Sequence, residues 1–345
     1  MADYLNYEKE CIKMLRNSNQ VKLLTKIKQI IKHGKIIKKD IAFWPNALLV
    51  YALIEINTKT SLQEVQRMNK KWYKQKYNIA NFDDYLMGYL LLKSDKVLTE
   101  SNRNLLISSL DSYLLTNNYK IFPYRLDSPT KVYIDLLGML PPYLSYKYAL
   151  TKDKELLLLA ERQYTSFKEY GFDSTLILPY HGYDMKTKYK EGIVGWGRGI
   201  GWYLFGLAET ISNISSNKER EYFLKLYFET FEVVLKYLKK NGLFSWQIIG
   251  IDSYEDTSAT ALILLSILKL MKEKIYTEDI YDKKIENMIK GLKRNTLNYK
   301  VMQCSSECGG FGVYPQNYGC YPWSLGPAVI CFIYYQQLKG EKHGK

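Results

Sequence analysis

Thr257 to Leu270 reads TSATALILLSILKL and is apolar nearly all the way round, whereas Lys218 to Lys240 reads KEREYFLKLYFETFEVVLKYLKK and keeps its apolar residues to one helical stripe, with Lys and Glu elsewhere. The first kind of helix must be covered on every side; the second faces water on one. Working outward, the same 3.6-residue period recurs at 4–16, 47–56, 62–77, 84–93, 99–116, 132–150, 154–168, 201–214, 219–239, 258–272 and 281–293. Most of these segments come in pairs, each an αα-hairpin of one all-apolar and one amphipathic helix. All-apolar members are expected to start near Trp44, Asp84, Tyr133, Trp196, Asp256 and Tyr321, roughly 40 to 65 residues apart. About six hairpins therefore close into two concentric helical layers, with a cleft at the N-terminal ends of the inner helices. No Pro/Gly/Ser linker divides the sequence, so residues 1–345 are expected to form a single domain.

Composition excludes several function classes. Hydrophobic residues make up 47% and charged residues 24%, which suits a folded protein with a substantial core. Lys and Arg exceed Asp and Glu by 49 to 35, a net charge of +14 that attracts anions. Nucleic acid is not the expected partner, because the cations are scattered and no zinc-finger, RNP-like or polybasic motif is present. The densest basic run, Val21 to Lys39, reads as a solvated helix face. No membrane insertion is expected, since no apolar run reaches the roughly 18 residues of a spanning helix. The start MADYLNYEKECIKML lacks a signal-peptide pattern, and five cysteines fit a reducing compartment, so a cytoplasmic location is expected. Cys304, Cys308 and Cys320 lack a C-x-x-C pair and a nearby histidine, so no metal is expected on them. Oligomeric state is left open.

The 32 tyrosines suit a wide polar cleft. The richest candidate site is His181 to Trp202, HGYDMKTKYKEGIVGWGRGIGW, where a histidine, an arginine and two tryptophans fall among six glycines. Trp196 and Trp202 offer flat faces for a sugar ring or belong to the core. Arg198 can pair bidentately with a substrate carboxylate or form an internal salt bridge, for instance to Asp184. His181 can hold a sugar hydroxyl or the reacting water, or be satisfied by backbone. Upstream, Asp135 stands between Tyr133, Ile134, Leu136 and Leu137, an apolar setting that favours a neutral carboxyl able to act as a general acid; its other reading is a capping or core aspartate. Pro141-Pro142 are expected to end or kink that helix a turn later. Of Asp83 and Asp84, one is expected to cap the following helix and the other to face the cleft beside Asp135. Asp256 reads as an N-cap, and the loop before it brings Trp246 to the same rim.

Five windows together resemble the unsaturated uronyl hydrolases, glycoside hydrolase families 88 and 105. These are YIDLLGMLPPYL at 133–144, YHGYD at 180–184, GWGRGIGW at 195–202, YEDTSATAL at 254–262, and CGGFGVYP at 308–315 together with YPWSLGPAVI at 321–330. Tyr133 stands where the family usually has Trp, and Ile200 replaces the Asn of its R-G-N-G-W window. The resemblance implies an all-α (α/α)6 barrel and hydration of a 4,5-unsaturated uronic acid at the non-reducing end of an acidic oligosaccharide. It further implies that Asp135 protonates C4 and activates water toward C5, and that Asp84 assists. His181 and Arg198 hold substrate or water, and Trp196 and Trp202 line the sugar subsite with Tyr133 and Trp246. Two other readings stand beside this one: a different sugar enzyme on the same toroid, and a barrel that binds an acidic glycan without cleaving it.

Overall fold

Capping side chains mark where the helices begin. Thr58 and Ser61 form a capping box, and Asp153, Ser216 and Asp256 each accept a backbone N–H of the first turn they precede. The computed structural model describes residues 2–18, 41–250 and 252–343; the basic run at Val21 to Lys39 lies outside the described residues. Among them twelve α-helices alternate between two layers. The inner layer holds α2 (Trp44–Ile56), α4 (Asp84–Lys93), α6 (Pro141–Thr151), α8 (Gly197–Asn213), α10 (Thr257–Lys272) and α12 (Pro322–His343). The outer layer holds α1 (Ala2–Ser18), α3 (Lys59–Tyr73), α5 (Glu100–Thr116), α7 (Lys154–Gly171), α9 (Asn217–Val234) and α11 (Asp282–Arg294).

Burial follows the pattern of the chain. Every residue from Gly197 to Ile211 and from Thr257 to Met271 is buried, while α11 buries only Ile285, Met288, Ile289, Gly291 and Leu292, a single stripe. Each inner helix touches the next, α2 to α4 to α6 to α8 to α10 to α12, and α12 returns to α2, so the ring is closed. The outer helices α3, α5, α7, α9 and α11 each cover the inner helix that precedes them, and α1 covers α2 and α12. This is the all-α (α/α)6 barrel.

One inner start is displaced. The period over 132–150 predicts a single helix, but the chain forms a strand, β1 (Lys131–Tyr133), then a 3-10 turn at Ile134–Gly138, and enters α6 only at Pro141. Pro141 and Pro142 open the helix and neither end nor kink it. With φ fixed and no N–H to satisfy, proline suits the first turn of a helix. Strand β1 pairs antiparallel with β3 (Leu178–Asp184), which also pairs with β2 (Phe172–Asp173) and β4 (Lys190–Val194). Nearly every residue of β3 is buried, so it lacks the alternation that marks a half-exposed strand.

At the axis of the ring the inner helices meet in a polar hub. Glu209 of α8 is fully buried and accepts hydrogen bonds from Tyr51 Oη of α2 at 2.7 Å, Tyr89 Oη of α4 at 2.6 Å and Lys93 Nζ of α4 at 2.9 Å. Tyr334 of α12 lies 3.3 Å from Tyr51, oxygen to oxygen, and Asn213 of α8 donates to Pro142 O and Ser145 Oγ of α6, each at 3.1 Å. The charge of Lys269 on α10 also acts on Glu209. Burial raises the Glu209 pKa, but Lys93 and Lys269 outweigh it and hold the carboxyl down at about 2.

Candidate active site

Strand register brings the two central groups together. Tyr133 pairs with Gly182, so the 3-10 turn that follows β1 carries Asp135 up to His181, the neighbour of Gly182 on β3. His181 Nε2 and Asp135 Oδ2 stand 3.3 Å apart, close enough for an ion pair though not aligned as a hydrogen bond. Both residues are buried. The other ring nitrogen, His181 Nδ1, lies 2.8 Å from Tyr314 Oη, and that oxygen also accepts the Ile193 N–H at 3.2 Å. Gly192 makes this approach possible: at φ +76°, an added Cβ would sit 2.6 Å from both His181 Cβ and Tyr314 Oη.

Electrostatics favour a charged His181. Burial lowers its pKa, but Asp135 and the Cys308 thiol outweigh that loss and raise it above the usual histidine value. Aromatic rings enclose the imidazole, with Trp196 4.2 Å, Tyr133 5.1 Å, Phe311 5.1 Å and Tyr314 5.6 Å from it between centroids.

A cavity of about 180 Å³ opens beside this pair, lined by Trp44, Tyr124, Arg125, Tyr133, Asp135, His181, Trp196, Arg198, Glu307, Cys308 and Gly310. That volume is below the roughly 300–1,000 Å³ of pockets that take drug-sized ligands, and suits one ring at a time. Five residues singled out in the sequence therefore share one cavity: Asp135, His181, Trp196, Arg198 and Tyr133. One face of Tyr133 is already covered by Phe311, stacked at 3.9 Å, and Tyr124 meets it tilted at 5.0 Å.

Arg198 faces the cavity but is already engaged. Its Nη1 donates to Ser305 O at 3.0 Å and Ser305 Oγ at 2.9 Å, its Nη2 to Ser306 O at 2.9 Å, and Asp256 Oδ2 lies 4.0 Å away. Much of its donor capacity is thus spent on the 305–306 segment, which holds its positive charge in place at the cavity. The salt-bridge partner is Asp256 and not Asp184, which instead binds Thr130, Lys131 and the turn at 186–187. Asp256 also caps α10 and accepts Ser305 Oγ at 2.6 Å.

Three expected site residues lie elsewhere. Asp84 is fully buried with Oδ2 turned back to accept the N–H groups of Ala80 at 2.7 Å and Asn81 at 3.1 Å, so it does not line the cavity. Its neighbour Asp83 is the carboxylate that reaches the site, through a two-pronged pair with Arg125 at 2.8 and 2.9 Å. Trp202 is fully buried between Trp44 and Phe205, with Gly138 against its ring, and belongs to the core. Trp246 sits behind Tyr314 at 5.7 Å and does not line the cavity. Ile200 is likewise buried away from it. The site residues missed in the sequence, Tyr124, Arg125, Glu307 and Tyr314, come from loops without periodicity; only Tyr314, inside the glycine-rich CGGFGVYP window, carried a visible signal.

The model of a known family, described as Glycosyl Hydrolase Family 88, matches residues 8–339. The chain belongs to that family. As a family 88 member it is a glycosidase. No curated protein matches it. Among solved structures it is similar to a possible GH105 family member from Klebsiella pneumoniae, with TM-score 0.78, 17% identity and coverage of 98% of this chain and 93% of that one. A possible GH105 family member from Salmonella enterica gives TM-score 0.76 and 18% identity over 96% and 94% of the two chains. The unsaturated glucuronyl hydrolase of Bacillus sp. GL1 gives TM-score 0.68 and 15% identity over 98% and 97%. At these identities the likeness establishes the fold.

Tyr314 fixes the orientation of His181 without touching the cavity wall. Its oxygen takes the Ile193 N–H and lies 2.8 Å from Nδ1, which anchors the ring with Nε2 facing Asp135. Tyr314→Phe is expected to lower kcat about tenfold, the equivalent of one hydrogen bond of about 1–1.5 kcal/mol, with little change in KM. The pH profile is the deciding measurement: its midpoint must shift, whereas a purely structural role would leave it in place.

Proposed function

We propose that this family 88 glycosidase removes a 4,5-unsaturated uronic acid from the non-reducing end of oligosaccharides left by a polysaccharide lyase. The observation that carries the reading is the Asp135–His181 pair, nearly buried, 3.3 Å apart, in the wall of a one-ring cavity. Asp135 gives its proton to C4 and takes one back from the water whose oxygen bonds to C5. The double bond becomes a C4–H and a C5–OH. The C5 hemiketal opens to a ketone, and the hemiacetal left at C1 releases the rest of the saccharide as its alcohol, so one water is consumed in all. His181, 3.3 Å away, holds the Asp135 carboxyl in place between the two transfers. Trp196 supplies an apolar wall, and Arg198 and Arg125 supply positive charge toward the uronyl carboxylate. No cofactor takes part in these steps. The five free cysteines support a cytoplasmic setting, and among the described residues no helix is long and apolar enough to cross a membrane.

The test is ultraviolet absorbance of the vinyl-ether double bond on mixing the protein with lyase-generated disaccharides from pectin, glycosaminoglycan and bacterial capsule. Loss of the band on at least one of them is expected. If all retain the band while glycan binding persists, the barrel is a binding protein and the hydrolase reading is wrong.

A further inference from the structure

The cavity wall grades from closed to open. His181, Trp196, Arg198, Trp44 and Asp135 are buried, Tyr124, Arg125, Tyr133, Cys308 and Gly310 are half-buried, and Glu307 is the one lining residue that is exposed. A terminal ring that reaches Asp135 must leave the rest of its saccharide at the exposed end, so the sugar next to the uronyl residue comes to lie beside Glu307.

Charge at that mouth is lopsided. Arg125 is held by Asp83 at 2.8 Å, and Arg198 is held by the Ser305 and Ser306 oxygens with Asp256 at 4.0 Å. Each arginine thus has its own aspartate, whereas Glu307 forms no salt bridge among the described residues. The charges that act on it are those of Arg198 and Arg125, which favour its ionised form, and those of Asp83 and Asp135, which oppose it. Crowding at the mouth, chiefly through desolvation, raises its pKa, and the two aspartates add to that rise.

We infer that Glu307 selects the leaving group: it disfavours a sulfated or carboxylated sugar beside the unsaturated uronyl residue, so the preferred substrates carry a neutral sugar there. The inference rests on the vinyl-ether reading of the cavity. The net charge of +14 pulls the other way, toward polyanions. At physiological ionic strength, however, the screening length is about 8 Å, so most of those cations are screened from a sulfate at the mouth, while Glu307 meets it at contact range. Like charges brought together there discriminate by repulsion.

The experiment compares kcat/KM on two unsaturated disaccharides that differ only by one sulfate on the second sugar. Wild type is expected to prefer the neutral one at least tenfold. Glu307→Gln should narrow that ratio about tenfold, and Glu307→Lys should reverse it. Raising the salt concentration should narrow the ratio for wild type and leave it flat for Glu307→Gln. Thermal melts check that both variants are folded, as an exposed position allows. Equal rates of wild type on the two sugars, or an unchanged ratio in both variants, overturns the assignment. If neither sugar nor any in the wider panel loses its double bond with wild type, the vinyl-ether reading has failed, and the selectivity falls with it.

Discussion

Asp135→Asn is expected to lower turnover by about 10²–10⁴-fold, the range lost when a positioned proton donor is removed, while the melting temperature stays close to wild type. The fold should tolerate the change because Asp135 Oδ2 makes no hydrogen bond that an amide would strand, and Asn has nearly the same shape. The same variant removes the carboxylate that raises the His181 pKa. Burial then acts with less opposition, and the histidine should titrate at lower pH than in wild type. Proton NMR of the imidazole reads this directly. The stability linkage has a definite sign: a folded pKa above the usual value of about 6.5 gives stability that is full below that pH and is lost as pH rises through the folded value. Asp135→Asn should flatten that part of the curve. A fully active Asn variant would assign the acid to another group.

Glu209→Ala is expected to cost about 3–5 kcal/mol of stability, the range for removing one partner of a buried ion pair. It strands Lys93, Tyr51 and Tyr89 at once, and these belong to two inner helices other than its own. Denaturant unfolding checks the magnitude. The acid limb checks the mechanism: a carboxyl held at about 2 in the fold and near 4.5 when unfolded contributes stability above 4.5, and that contribution disappears as pH falls from there toward 2. Wild type should lose stability across that window, and Glu209→Ala should lose markedly less. Activity of whatever fraction remains folded should persist, since Glu209 does not line the cavity.

The ring was legible in the sequence because a helix covered on every side must be apolar on every side. Segments such as TSATALILLSILKL cannot be satisfied at a surface. The third hairpin shows the limit of that rule. Residues 132–150 are apolar throughout whether strand, 3-10 turn or helix, so periodicity carries no boundary there, and only the proline pair marks the true start. In the site, Asp135 and His181 were legible as polar residues in windows with no structural need for them. Which of two adjacent carboxylates faces a cleft was not, because Asp83 and Asp84 differ by a rotation that only the preceding loop fixes. Trp196 and Trp202 look like a pair in the sequence, yet Trp196 precedes α8 in extended backbone while Trp202 lies inside the helix, so the two rings are directed independently. Arg125 and Glu307 meet the site through tertiary contact alone, and nothing local announces it.

Closure of the ring by α12 against α2 has a consequence for how the molecule is made. The two helices that seal it lie more than 260 residues apart in the sequence, and the cavity-wall residues Glu307, Cys308 and Gly310 come shortly before the second of them. Until Pro322–His343 is available, one flank of α2 and one of α10 have no cover, and apolar surface on both stays open to water. Such long-range closure folds slowly and leaves its intermediates prone to association. Folding of this barrel is therefore exposed to association until α12 docks, and the ring is complete only with that contact.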